Sequence, residues 1–378
     1  MKKTIAFLVL TLVLIAALVG CSATQEAAQS SAAVETQETA AAEDASDGAS
    51  DASAEDGESG IKIGISINDL QLERWQRDWS YMEAACEEAG VEYVSASADG
   101  DEQTQMSQIE SMLTQGVNAL VVIPINQDTL SQAVETAHES NVPVIAYDRL
   151  ITNCDLDYYI TFDMIGVAEE QAKFLIDLVP TGNYFLLEGP QTDSNAQLFY
   201  QGQMQVLQPY IDSGDITIVG EQWADDWSEE NAMTLTENIL TANNNEIDAI
   251  CAANDSTAGG AIMALEAQGL AGEIPITGQD CDLAACRRIV EGTQTMSVYK
   301  QLKNLATTAI ESAIAIAEGE TLETNDTYNN GFKDVPTVAL DLQIATKDNM
   351  MDLIIADGFQ SYDEVYADIP EDERPPKE

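Results

Sequence analysis

Histidine is almost missing from this chain: one residue, His138, stands among 378. No zinc site of the usual His/Cys spacing can be built around it, and neither a Ser-His-Asp nor a Cys-His relay is supported. Positive charge is scarce too, with 15 Lys and Arg against 66 Asp and Glu and a net charge of −51. A field of that sign repels nucleic-acid phosphates, anionic membrane surfaces and anionic ligands, which leaves a neutral or cationic small molecule. Phosphate cradles are absent as well. No Gly-x-Gly-x-x-Gly follows the first apolar run, and no Gly-x-x-x-x-Gly-Lys-Ser/Thr occurs anywhere. Gly259 and Gly260 read instead as a site of close helix packing. Cysteine is sparse: beyond Cys21 there are Cys86, Cys154, Cys251, Cys281 and Cys286, odd in number and irregular in spacing. A chain of this size does not need disulfide staples, so these read as small buried thiols; whether Cys281 and Cys286 pair stays open.

What is present begins with a leader. Lys2 and Lys3 precede an apolar run over 5–19 that stops at Leu18-Val19-Gly20-Cys21. A basic start, a short apolar core and small residues at its end read as an export signal over 1–20. The placement of Cys21 resembles a bacterial lipobox, which implies lipidation of Cys21 and tethering to the cell membrane outside the cytoplasm. Loss of residues 1–20 removes Lys2 and Lys3 and leaves 13 cations against 66 acids, or −53. Residues 22–60 carry ten acids and no Lys, Arg or aromatic residue. Such a segment cannot bury enough apolar surface to offset its chain entropy, so 21–60 reads as a disordered acidic linker.

From residue 61 apolar runs of four to eight residues alternate with amphipathic stretches. Strands are expected at 61–67, 91–95, 119–123 and 142–147, with helices over 72–89, 103–115 and a stretch through His138. A second series follows residue 162, with helices at 165–178, 196–212, 228–241, 257–268 and 283–291. Its strands fall at 184–187, 216–219, 247–252, 274–277 and 294–299. This is the pattern of parallel sheets covered on both faces, and two such series predict two doubly wound α/β lobes.

In doubly wound sheets ligands bind beyond the carboxyl ends of the strands. The residues there are Arg74 and Trp75, then Asp148 and Arg149, then Asp193 and Asn195, then Trp227, Asn254, Asp280 and Lys300. Asp and Asn accept from or donate to vicinal hydroxyls, Arg spans two oxygens, and an indole face packs the C–H surface of a sugar ring. Each has a plainer role open to it. Asn254 can cap the next helix, and Trp223 reads as a packing residue between lobe and surface.

At these strand ends the chain resembles the type I periplasmic sugar-binding proteins, nearest the D-xylose-binding members that serve ABC importers. The resemblance runs from about residue 61 to about 359. It rests on LERWQ at 72–76, EQTQMSQIE at 102–110, AYDR at 146–149, LQPYIDSG at 207–214 and TANNNEID at 241–248. It continues through NDSTAGGA at 254–261, GQD at 278–280, GTQTMSVYK at 292–300 and NNGFKDVP at 329–336. It implies a pyranose, D-xylose favoured, between Trp75 and Trp227. Arg74, Asp148 and Arg149 would bind its hydroxyls from one lobe, Asp193, Asn195, Asn254 and Asp280 from the other, with Lys300 where the chain recrosses. It implies three hinge crossings, placed near 162–164, 298–300 and 323–326. The lobes then comprise 61–162 plus 299–324 and 163–298 plus 325–366, with a tail at 367–378. It further implies a monomer that needs no cofactor or metal and delivers its sugar to a membrane permease. Two alternatives stay open: a sensor that presents a sugar or furanose signal to a receptor, and a sugar-processing enzyme with Asp148 and Asp280 as paired carboxylates.

Overall fold

The computed structural model describes residues 60–377. The leader at 1–20, Cys21 and the linker up to residue 59 lie outside the described residues, as does Glu378. The first lobe opens with β1 (Lys62–Ile67), α1 (Glu73–Ala89), β2 (Glu92–Ser97), α2 (Glu102–Thr114), β3 (Ala119–Val122), α3 (Ser131–Glu139), β4 (Val144–Tyr147) and β5 (Tyr158–Phe162). Local chemistry sets these boundaries. Gly90, at φ +69°, takes the left-handed turn that ends α1, and the Asp101 side chain accepts from the Thr104 N–H to start α2. Residues 63–67 of β1 are buried without a break, so both faces of this parallel strand are covered.

The second lobe runs through α4 (Met164–Leu178), β6 (Gly182–Glu188), α5 (Ser194–Ser213), β7 (Ile216–Trp223), α6 (Glu229–Ala242), β8 (Ala249–Ala252), α7 (Asp255–Gln268), α8 (Leu283–Glu291) and β9 (Ser297–Tyr299). The chain then passes through α9 (Leu302–Ala317), β10 (Asp326–Asn329), β11 (Asp334–Leu340), β12 (Gln343–Ala345) and α10 (Tyr362–Val365). The first sheet has the order β10-β11-β5-β4-β3-β1-β2, parallel except for the edge strand β10. In the second lobe β7-β6-β8 pair in parallel. Single bridges, Ile250 to Ile276 and Gln279 to Val298, lead on to the antiparallel pair β9 and β12. This is the periplasmic binding protein type I fold. One apolar cluster runs from β1, α1 and α9 through Met164 and Val167 to Phe199, Trp227, Cys281 and Val298, so the core is continuous across the hinge.

Three features depart from the expected boundaries. Residues 325–340 were expected in the second lobe, yet β11 pairs with β5 from Thr337–Tyr159 to Leu340–Phe162, and β10 pairs with β11. Those ladder bonds put the segment in the first sheet. The third crossing therefore lies between Leu340 and Gln343, not at 323–326, and the Asp163 N–H donates to the Leu340 carbonyl there at 3.3 Å. The strand expected at 274–277 is reduced to the bridge at Ile276, because Pro275 has no N–H to donate. The tail after Tyr366 folds back on α10: the Tyr362 hydroxyl donates to the Pro375 carbonyl at 2.6 Å and Arg374 Nε to that of Ile369 at 2.7 Å.

Gly259 and Gly260 do mark close helix packing. A Cβ on Gly260 would sit 2.1 Å from the Glu229 carbonyl oxygen, so α6 and α7 approach through a glycine. Helix propensity favours Ala over Gly by about 1 kcal/mol, whereas forcing the helices apart costs about 1–3 kcal/mol. Gly260→Ala is therefore expected to lower the melting temperature. An unchanged or higher one would mean that α7 can shift freely.

Candidate functional site

The strand ends of both sheets face one another across a narrow cavity that leaves about 20 Å³ of free space. Its walls include all ten residues singled out in the sequence: Arg74, Trp75, Asp148, Arg149, Asp193, Asn195, Trp227, Asn254, Asp280 and Lys300. Leu72, Phe199 and Gln279 complete it.

Each polar group is placed by a backbone device. Arg74 and Trp75 occupy the first turn of α1, beyond β1. Asp148 follows β4 in a left-handed conformation, φ +60°, held by its carbonyl accepting from the Tyr159 hydroxyl at 2.6 Å and that of Thr161 at 3.1 Å. Asp193 caps α5, and Asn254 caps α7 through its Oδ1, so the capping role foreseen for Asn254 coexists with its place on the cavity wall. Trp227 ends a short 3-10 turn at φ +55°, and Asp280 stands at φ +100°. Non-glycine residues in this region are strained, and three of them line the cavity. Trp223 lies outside it, tilted against Tyr200 at 5.6 Å.

The side chains form a charge network across the gap. Arg74, only 3% exposed, places Nη1 3.0 Å from Asp148 Oδ2 and 3.5 Å from Asp280 Oδ1. Its Nε and Nη2 donate to Asp78 Oδ2 at 3.1 and 3.0 Å. Lys300, fully buried, reaches Asp280 at 3.0 Å and Asp148 at 3.7 Å. Arg149 Nε lies 2.7 Å from Asp193 Oδ2, which also accepts from Trp227 Nε1 at 2.9 Å. Asn195 Nδ2 donates to Asp148 Oδ1 at 2.9 Å. Burial pushes the Asp148 carboxyl up, but Arg74, Lys300 and Arg149 outweigh it and hold the group below its ordinary value. Burial works against the Arg74 charge too, and Asp148, Asp78 and Asp280 more than restore it.

Besides Asp148 Oδ2 and Lys300 Nζ, which have ion-pair contacts alone, three polar atoms on the walls find no protein partner: Trp75 Nε1, Asn195 Oδ1 and Gln279 Oε1. One donor and two acceptors remain for a ligand with hydroxyl groups, which can both give and take hydrogen bonds. Sequence reasoning missed Gln279 and Asp78. Gln279 is a neutral amide between two more conspicuous residues. Asp78 carried a usable signal, since it lies four residues after Arg74 on the same helix face. The guanidinium of Arg74 stacks 4.0 Å over the Trp75 ring, and Phe199 meets Trp227 edge-on at 6.1 Å.

The loop carrying Asp280 has its own support. Asp255 accepts from the Asp282 N–H at 3.1 Å, Ser297 Oγ at 2.9 Å and Gln294 Nε2 at 2.7 Å. Cys281 and Cys286 are free buried thiols, and Cys286 Sγ donates to the Cys281 carbonyl at 3.3 Å. Burial pushes Asp255 up to about 7 and Asp78 up to about 6. Both carboxyls ionise near 4 in the unfolded chain, so between roughly pH 4 and 7 the folded protein binds more protons. The stability they confer is present at low pH and is lost as pH rises through 6 to 7. Asp148 has the opposite sign, and its contribution is lost only as pH falls below about 4. Thermal unfolding should therefore occur a few degrees higher at pH 5 than at pH 8. A melting temperature that stays level or rises from pH 5 to pH 8 would contradict the assignment.

Known proteins supply a comparison for this geometry. Residues 63–321 match the family model described as a periplasmic binding protein domain. The D-xylose-binding periplasmic protein of Escherichia coli K12 is 52% identical over 305 residues, 81% of this chain and 92% of that protein. The D-xylose-binding periplasmic protein of Haemophilus influenzae is 48% identical, with the same shares covered. A crystal structure of an ABC transporter solute-binding protein from Clostridium phytofermentans with bound β-D-glucose superposes with a TM-score of 0.75. It is 33% identical and covers 80% of this chain and 99% of its own. The chain belongs to the periplasmic binding protein family and is a binding protein, not an enzyme.

Proposed function

We propose that the protein is an extracytoplasmic, lipid-anchored solute-binding protein that captures one monosaccharide, D-xylose, in this cleft and delivers it to an ABC importer. The observation that carries the reading is the charge network shared between the lobes. Asp148 and Asp280 hold Arg74 and Lys300 directly, and each is a charge-assisted partner that a sugar hydroxyl can take over. A hydroxyl inserted between carboxylate and cation accepts from one and donates to the other, so the charges stay satisfied. Asp193, Arg149, Asn195 and Asn254 supply the remaining partners, and Trp75 and Trp227 the apolar walls. Sugar bound to both lobes favours the closed form, and the permease reads closure. The names of the two relatives with about half their residues identical support a pentose. Export and tethering rest on the leader and on Cys21.

Calorimetric titration with aldopentoses and aldohexoses tests this. D-xylose should bind at micromolar concentration or below, one per chain, and D-ribose much more weakly. A folded protein that answers no monosaccharide would sink the proposal, and product formed on long incubation would revive the enzymatic alternative.

Single substitutions probe the walls. Asp280→Ala leaves hydroxyls buried without an acceptor, at roughly 1–3 kcal/mol for each bond lost, and Asp280→Asn should recover part of it. Trp227→Ala should cost about 1–3 kcal/mol of binding energy and Trp223→Ala far less. Equal losses at the two indoles would show that Trp227 is not a cavity wall.

A further inference from the structure

A second set of contacts crosses between the lobes without touching the cavity. Glu73 and Arg77 lie one turn apart on α1, in the first lobe. Arg77 donates from Nε and Nη2 to Glu73 Oε1 at 3.0 and 2.8 Å. Neither residue lines the cavity. Opposite them in the second lobe stand Leu283, which opens α8, and Phe359 and Gln360, which precede α10. Arg77 Nη1 donates to the Phe359 carbonyl at 2.7 Å and Nη2 to Gln360 Oε1 at 2.8 Å, while the guanidinium lies 4.6 Å over the Phe359 ring. Gln360 Nε2 returns a bond to Glu73 Oε1 at 3.1 Å and a second to the Cys281 carbonyl at 2.9 Å. The Leu283 N–H donates to Glu73 Oε2 at 3.0 Å.

That last bond has a particular consequence. Asp282, at the cap position of α8, makes no capping bond with its own side chain. The α8 N-terminus instead takes its carboxylate from the other lobe, so opening the cleft strips the helix of its cap. Burial pushes Glu73 up, but Gln360, the Leu283 N–H and Arg77 outweigh it and hold the group below its ordinary value, which keeps it ionised at neutral pH. The contacts are also in register with the cavity. Arg74 belongs to the same helical turn as Glu73 and Arg77, and the Cys281 carbonyl follows directly on Asp280.

We infer that Glu73 and Arg77, closing on Leu283, Phe359 and Gln360, form a ligand-independent latch that sets how much of the sugar-free protein is closed and thereby tunes sugar affinity. The inference rests on the sugar-binding reading for its second half alone. Apparent affinity scales with the fraction of protein in the binding-competent form, so a latch that raises this fraction tightens binding without touching the sugar. Glu73 and Arg77 are positioning residues in this scheme.

The test compares the full chain with Arg77→Ala, Glu73→Gln and Gln360→Ala. Small-angle scattering of the sugar-free proteins should give a larger radius of gyration for the variants, and saturating D-xylose should return each to the compact parental value. Affinity should drop roughly fivefold or more, carried by faster dissociation with little change in association. Arg77→Ala and Gln360→Ala should be strongly non-additive, since each removes the other's partner. Sugar-free scattering that superimposes on the parent's overturns the latch, whether or not affinity falls, because affinity lost without opening marks ordinary packing. If one variant does not fold, the others carry the same comparison from either lobe. If the parent binds none of the sugars, the proposed function fails while scattering still decides the latch.

Discussion

Arg74 carries a full positive charge almost entirely out of water, and the architecture of the cleft follows from keeping it there. Stripping an ion of its hydration costs several kcal/mol, and mutual attraction repays this only with good geometry and satisfied hydrogen bonds. Here three carboxylates share the guanidinium. Asp78 takes two of its N–H groups from the same helix, Asp148 comes from the end of β4, and Asp280 comes from the other lobe. Asp78 is itself held by the Tyr147 hydroxyl, so the last residue of β4 and the first turns of α1 are locked together. Removing any one carboxylate leaves a buried charge short of a partner. A hydroxyl of a bound molecule can take over one N–H bond, but it brings no compensating charge, so all three carboxylates are needed.

Lys300 makes the arrangement symmetrical in charge. It faces the same two carboxylates, Asp148 and Asp280, and it stands where the chain passes from β9 to α9. A cation at the hinge and another on α1 therefore bracket two acids from opposite lobes. The left-handed backbone at Asp148 and Asp280 is part of the same solution, since it turns each carboxylate toward both cations. Residues held in such conformations need surroundings that over-determine them, and both have them. Two hydroxyls grip the Asp148 carbonyl, and the Asp255 hub grips the loop beyond Asp280.

Most of the fold up to β9 was legible in the sequence, because alternation of short apolar runs with amphipathic helices survives wherever strands are buried on both faces. It failed where that condition lapses. No helix intervenes between β4 and β5, so the alternation skips a beat and Tyr158–Phe162 goes unmarked. Strand β10 (Asp326–Asn329) is a polar edge strand, and only its pairing with β11 shows the sheet it joins. Apolar packing against both α1 and the first sheet gives α9 a broad apolar surface in place of a narrow stripe. The cavity walls fared better, because strand-end topology alone gathers Arg74, Asp148, Asp193, Asn254 and Asp280 at one edge. Topology does not say which partner holds each of them. Arg149 with Asp193, and Gln360 with both Glu73 and Cys281, depend on packing between segments far apart in the chain.

The contacts between the lobes divide by whether a small ligand can replace them. Arg74 with Asp280, Arg149 with Asp193 and Asn195 with Asp148 lie in the cavity, where an entering molecule would compete with each. The bonds of Glu73 and Arg77 lie outside it, as do those of Gln127 N–H to the Thr192 carbonyl and Leu150 N–H to Ser194 Oγ, and these remain when the cavity fills. The first set opposes the ligand by satisfying its partners in advance, and the second assists it by holding the walls at the closed spacing. Affinity is a difference between the two. A protein with only the first would close on itself and exclude its ligand, and one with only the second would stay shut and delay both entry and release. Balanced sets give a cleft that closes readily and still exchanges its contents.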